Sequence, residues 1–187
     1  MSKLIPGLAI ATLSLCGFAC GSDSSSMASA APGAALKCTS SGKDAFDTYQ
    51  TAAFVTVNEA IVANVFAEIG ANSTTNLGAS FTKIGTGTPP STADDAPTFK
   101  GKLAAFLVYA YGGPTSITYT DGKTYRGLQD MASAHAGLGI TSAQFDYFVS
   151  NIVVPALTSI GVSAADVSSC FAPVVTDAAF KASIVGK

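Results

Sequence analysis

Between residues 54 and 69 apolar side chains return every four positions, at Val57, Ile61, Val65 and Ile69 with Val62 and Phe66 beside them. That spacing predicts one amphipathic helix with a wide buried stripe, ended by Gly70 and the polar run after it. A second periodic stretch puts Phe99, Leu103, Phe106, Leu107 and Ala110 on one face and stops at Gly112-Gly113-Pro114. Pro97 opens it where a missing N–H costs nothing, and Asp94 and Asp95 sit at the positive end of its dipole. Residues 128–136, bounded by Gly127 and Gly137, read as a short helix. Thr141 to Gln144 spells a capping box for a helix reaching about Ile160 through Phe145, Phe148, Ile152 and Val153, with a kink expected at Pro155. Ser163 caps the last helix, whose stripe is Val167, Cys170, Phe171 and Val174, interrupted by Pro173. With the opening segment at 44–49, the pattern predicts an all-α fold of about six helices, without a convincing pair of strands. Residues 115–123, with an Asp121-Gly122 turn, fit either a small hairpin or a loop, and the Pro- and Gly-rich stretch 86–96 fits a mobile connection.

Composition narrows the class. A chain of 187 residues, 48% hydrophobic and 12% charged, can bury one domain. A net charge of −2 with no basic run argues against a nucleic-acid partner. Residues 1–19 carry an early Lys, a short apolar run broken by Pro6 and then small residues, the pattern of an export signal. The GFACGS around Cys20 resembles a bacterial lipoprotein signal, with Cys20 the lipidated residue. A plain secretory cut near Ala19 or Ala31 is the alternative. Residues 20–37, rich in Ser, Ala and Gly, read as a flexible tether, which leaves 38–187 as the domain. The expected location is periplasmic or cell-surface, with any membrane contact made through the lipid anchor. In an oxidising compartment Cys38 and Cys170 either pair, closing a loop worth about 4 to 5 kcal/mol in the chain-entropy model, or stay as free thiols.

His135 is the one histidine. A single imidazole is too few ligands for structural zinc, which takes about four, but is enough for a haem, where the porphyrin supplies the rest. A lone His is more often a plain surface or core residue. No CxxC, G-x-S-x-G or P-loop accompanies it.

Around His135 the order Gly112-Gly113-Pro114, Tyr125, Gly127, Met131-Ala-Ser-Ala-His135-Ala-Gly-Leu-Gly-Ile140-Thr141 and Phe145 resembles the proximal half of the group 1 truncated haemoglobins. The resemblance spans residues 43–181 and weakens toward the N-terminus, where Ala53 and Phe54 replace the family's paired glycines. It implies a short helical sandwich around haem b, with His135 the iron ligand and its Nδ1–H given to a carbonyl near Met131. Phe81, Phe99, Leu103, Ile140 and Phe145 would form apolar walls, Tyr125 would lie beside them, and Lys102 would meet a propionate. Phe66 and Leu103 fall where the family commonly carries a distal Tyr and Gln. Neither donates a hydrogen bond, a contact worth about 1.5 to 3 kcal/mol to a polarised ligand, so oxygen binding should weaken tenfold or more. The function implied is reversible binding of oxygen or another diatomic gas. The alternatives are a nitric oxide dioxygenase or peroxidase-like haem enzyme, which needs an electron donor, and a haem-less structural module.

Overall fold

The computed structural model of the chain describes residues 31–71, 77, 81 and 94–187. Within these the protein is mostly helical, as the periodicity predicts. Helix α1, Ala45–Gly70, starts where the Asp44 carboxylate accepts the Asp47 N–H at 2.7 Å, satisfying an amide its first turn leaves free. It breaks at Gln50, whose φ of 63° and ψ of 167° fall in a region that only glycine occupies without strain. Gln50 Nε2 donates to the Phe46 and Asp47 carbonyls, both at 3.0 Å, and so closes the short first segment. Beyond the break Val57, Ile61, Val62 and Val65 are buried, as their spacing requires. Residues 45–69 are also long and apolar enough to cross a bilayer, but here Glu59 is paired with Lys100 and Glu68 accepts from Tyr147.

Helix α2, Ala96–Ala110, is capped by Asp95, which accepts the Thr98 N–H at 2.9 Å. It packs on α1, where Asn58 donates to the Lys100 carbonyl and Phe54 stacks on Tyr111 at 5.6 Å. The next segment settles the hairpin question and corrects the expectation of no paired strands. Strands β1, Ser116–Thr118, and β2, Thr124–Arg126, run antiparallel with Ile117 opposite Tyr125. The Asp121 carboxylate holds the turn through the Lys123 N–H at 3.0 Å, and Ile117, Tyr119 and Tyr125 bury their side chains while the threonines between stay exposed. The hairpin lies on a face of α2 where side chains are small, since a Cβ on Gly101 would stand 2.2 Å from the Tyr125 ring.

Helix α3, Met131–Ala134, is shorter than the predicted 128–136. The Asp130 carboxylate accepts the Ala132 and Ser133 N–H groups at 3.1 and 3.4 Å, which fixes the start at Met131. Gly137 and Gly139, both at positive φ, turn the chain away after His135. Helix α4, Ser142–Tyr147, carries the predicted capping box, widens into a π-helical turn, Phe148–Val153, and resumes as α5, Val154–Ser159. The kink expected at Pro155 takes the form of that wide turn, which absorbs the bond the proline cannot make. The same device recurs before Pro173. Helix α6, Ala164–Asp166, passes through a π-helical turn, Val167–Phe171, into α7, Ala172–Val175. Helix α8, Ala178–Ala182, closes the order, capped by Asp177.

Phe171 joins Tyr49, Phe54 and Tyr111 in an aromatic core whose ring centroids lie 5.0 to 6.0 Å apart. Cys38 and Cys170 form a disulfide beside it. The chain is already docked ahead of residue 38, because the Gly33 N–H donates to the Ala110 carbonyl at 2.7 Å. The predicted signal at 1–19, Cys20 and most of the 86–96 loop lie outside the described residues.

Candidate functional site

His135 is the C-cap of α3 and half-buried. Its Nδ1 lies 2.8 Å from the Met131 carbonyl oxygen. A carbonyl only accepts, so the proton of the neutral ring sits on Nδ1 and the lone pair sits on Nε2. Among the described residues no hydrogen bond forms at Nε2. This is the partner and the tautomer that a ligating histidine needs, since a second contact at the other nitrogen fixes the ring and raises its basicity.

The aromatic residues of the resemblance fall into two groups. Phe81 meets Phe99 edge-on at 6.1 Å and stacks on Phe148 at 5.9 Å, so one wall is assembled from α2 and the π-turn after α4. Phe106, on the same face of α2 as Phe99 and Leu103, stacks on Phe180 at 5.9 Å, and Phe180 in turn meets Phe145 at 6.3 Å. Lys181 places its ammonium 5.5 Å over the Phe145 ring and 2.6 Å from Asp146. Ile140 is half-buried, and its carbonyl accepts the Gly186 N–H at 2.9 Å while the Gly139 N–H donates to the Lys187 carbonyl at 2.8 Å. Phe180 and the tail after it are absent from the sequence reading. The signal was there in Asp177, a cap, followed by Phe180 and Ile184 at helical spacing.

Other residues have different neighbourhoods from those the resemblance implies. Lys102 Nζ is 2.8 Å from the Asp94 carboxylate. Tyr125 belongs to the hairpin, where its hydroxyl donates to Asp121 at 2.6 Å and its ring faces Gly101 and Tyr119. Leu103 is partly buried against the core, and Phe66 is 43% exposed on α1.

The residues fit a haem in their chemistry, with one oriented imidazole and aromatic walls drawn from α2 and the 142–153 segment. Space is the difficulty. A cleft of about 280 Å³ lined by Phe145, Asp146, Val149, Ser150, Thr176 and Lys181 adjoins the Phe180 contact. Sites for drug-sized ligands run from about 300 to 1,000 Å³. The lining of this cleft includes neither His135 nor Phe81 or Phe99, so it is not by itself a haem pocket.

Two further polar clusters are structural in their partners. Asp166 is fully buried, and its carboxylate accepts the Ser40 N–H at 2.9 Å and the Tyr49 hydroxyl at 2.6 Å. Burial acts to raise its pKa, but the donors Ser40, Tyr49 and Ser163 outweigh that and hold it down to about 2. Burial, then the bond to Asp166, pushes the Tyr49 hydroxyl up to about 12. Cys38 and Cys170 lie close to Asp166, but their sulfurs are bonded to one another and offer no thiolate to a metal. In the second cluster the buried Asn58 donates to the Tyr119 hydroxyl, which donates to Glu59, and Glu59 pairs with Lys100 at 2.7 Å. The Asn58 Oδ1 has no partner among the described residues.

No family model matches the chain, and neither a curated protein nor a solved structure does.

Proposed function

We propose that the protein is a haem protein of the truncated-globin kind that binds oxygen or another diatomic gas reversibly, with His135 as the proximal ligand. The observation that carries this reading is the 2.8 Å contact from His135 Nδ1 to the Met131 carbonyl, which leaves Nε2 as the free lone pair. The haem would supply the gas-binding metal. The chain's own residues would orient one imidazole, and the Phe81, Phe99 and Phe148 rings would supply an apolar wall. An electron donor and a distal acid or base, which an oxygenase or peroxidase needs, have no counterpart among these residues. The buried Cys38–Cys170 bond favours an oxidising compartment, which supports a protein working outside the cytoplasm.

The test is an absorption spectrum of the full chain purified with haem supplied, beside His135→Ala. A Soret band in the first that is lost or shifted to a ligand-deficient form in the second supports the reading. No haem uptake by the folded wild-type chain overturns it. A second reading, a helical module without haem, is favoured by the packing of Phe180 between Phe106 and Phe145, and the same uptake measurement separates the two.

A further inference from the structure

The cleft of about 280 Å³ beside Phe145 has a lining whose polar groups share one sign. The Ser150 hydroxyl gives its proton to the Asp146 carbonyl at 2.8 Å, and the Thr176 hydroxyl gives its own to the Ala172 carbonyl at 2.8 Å. Both oxygens therefore keep lone pairs, and no proton, for the cleft. Asp146 adds a carboxylate whose side chain is 61% exposed, and Phe145 adds the electron-rich face of its ring. The one side-chain donor left in the lining is Lys181. It already sits where those acceptors draw a cation, with its ammonium 5.5 Å over the Phe145 ring and 2.6 Å from Asp146 Oδ1.

We propose that this cleft binds a small primary ammonium compound, a protonated alkylamine, and that Lys181 is its built-in competitor. The ligand's ammonium replaces that of Lys181 on Asp146 and over the Phe145 ring, where the ring's quadrupole attracts a cation. A primary ammonium has three N–H donors to satisfy, and the Ser150 and Thr176 oxygens are the further acceptors the lining offers. Val149 supplies an apolar wall for a short carbon chain. The volume sets the size, since it falls below the roughly 300 Å³ at which sites for drug-sized molecules begin. Releasing Lys181 costs little, because its ion pair lies at the surface and its long stem can carry the ammonium into water. An anion is the wrong ligand, because Asp146 repels it and neither hydroxyl has a proton to offer. The inference does not rest on the haem reading, as His135, Phe81 and Phe99 take no part in the lining.

The experiment titrates n-butylammonium chloride into the full chain, into Lys181→Met and into Lys181→Met with Asp146→Asn, following the Phe145 ring and the Thr176 amide by NMR. Sodium butyrate and sodium chloride at equal ionic strength are run beside it. In the wild type butylammonium should give a saturable shift that neither sodium salt reproduces. Lys181→Met keeps the stem and removes the competing charge. It should bind about three- to thirtyfold tighter, the combined range of a surface ion pair and a cation–π contact. Adding Asp146→Asn should take back most of that gain. Binding by Lys181→Met with none by the wild type also supports the proposal, with Lys181 a complete block. Equal affinity in the wild type and Lys181→Met, a shift that sodium chloride reproduces, or butyrate binding as tightly as butylammonium overturns it. No saturable shift in any folded chain overturns it as well. Circular dichroism checks the fold of each variant, and Lys181→Met alone carries the test if Asp146→Asn loosens α4.

Discussion

Removing the Cys38–Cys170 bond should cost the fold more than any other single covalent change. The two sulfurs close a loop of 132 residues, and both side chains are at most 1% exposed. For that length the chain-entropy relation gives about 17 cal/mol/K, or about 5 kcal/mol at 25 °C, as the upper value, and native bridges usually return about 2 to 5 kcal/mol when removed. For a domain of this size that is a fall in Tm of about 2–4 °C per kcal/mol, so roughly 4 to 20 °C. The loss also has a local reading, because the bond holds residues 38–40 where Ser40 N–H reaches Asp166 and Thr39 N–H reaches Ser169 at 3.1 Å. Urea unfolding of the full chain, of Cys38→Ala with Cys170→Ala, and of the wild type reduced in denaturant measures it. The double variant and the reduced chain should agree with each other and fall short of the oxidised protein by several kcal/mol. Reductant without denaturant should leave the bond intact, read by thiol labelling, since neither sulfur meets solvent. A double variant within about 1 kcal/mol of the wild type would refute the argument, and would mean that the unfolded chain is not loosened by the cut.

Gln50→Gly should raise Tm by about 2–4 °C, because relief of a strained backbone worth about 1–3 kcal/mol exceeds the added chain entropy of about 1 kcal/mol and the exposed side-chain bonds given up; a lower Tm would show that those bonds hold the break. Gly101→Ala should cost about 1–3 kcal/mol or more by driving a methyl into the Tyr125 ring, and Tyr125→Ala in the same chain should recover much of it; strictly additive losses in urea would count against the clash. Asp166, held at about 2 in the fold against an ordinary value near 3.8, lends stability that is present above about pH 4 and lost as pH falls toward 2, so the Tm gap between wild type and Asp166→Asn should be widest near neutrality and shrink through that window. A gap that does not change with pH would sink that assignment.

Much of the fold was legible because its signals are local. Asp95, Thr141, Ser163 and the four-residue spacing on α1 act within one or two turns, and each appears where the chain spells it. The break at Gln50 was not, since glutamine has no preference for a positive φ and is held there only by what surrounds it. The hairpin was half legible: Asp121-Gly122 marks a turn, but the small stripe at Gly101 and Ala105 that receives Tyr125 and Gly127 becomes visible only once α2 and the hairpin meet. For the same reason Lys102 was read from the resemblance alone, whereas its partner Asp94 stands just upstream of the same helix. Counting left Cys38 and Cys170 either paired or free, and the network beside the bond, through Ser40, Tyr49 and Asp166, spans more than a hundred residues and leaves no mark in any short window.

The site divides along the same line, and the division bears on what the protein does. His135, the Met131 carbonyl that meets its Nδ1 and the two positive-φ glycines after it form a local arrangement, all within nine residues of one another. What holds the turn after it is remote in sequence, because the Gly186 N–H donates to the Ile140 carbonyl and the Gly139 N–H to the Lys187 carbonyl. Removing residues 177–187 should therefore speed amide exchange at Gly139 without touching the His135 Nδ1 contact. Unchanged exchange at Gly139 in the shortened chain would mean that the turn is held by its own glycines and not by the residues packed on it.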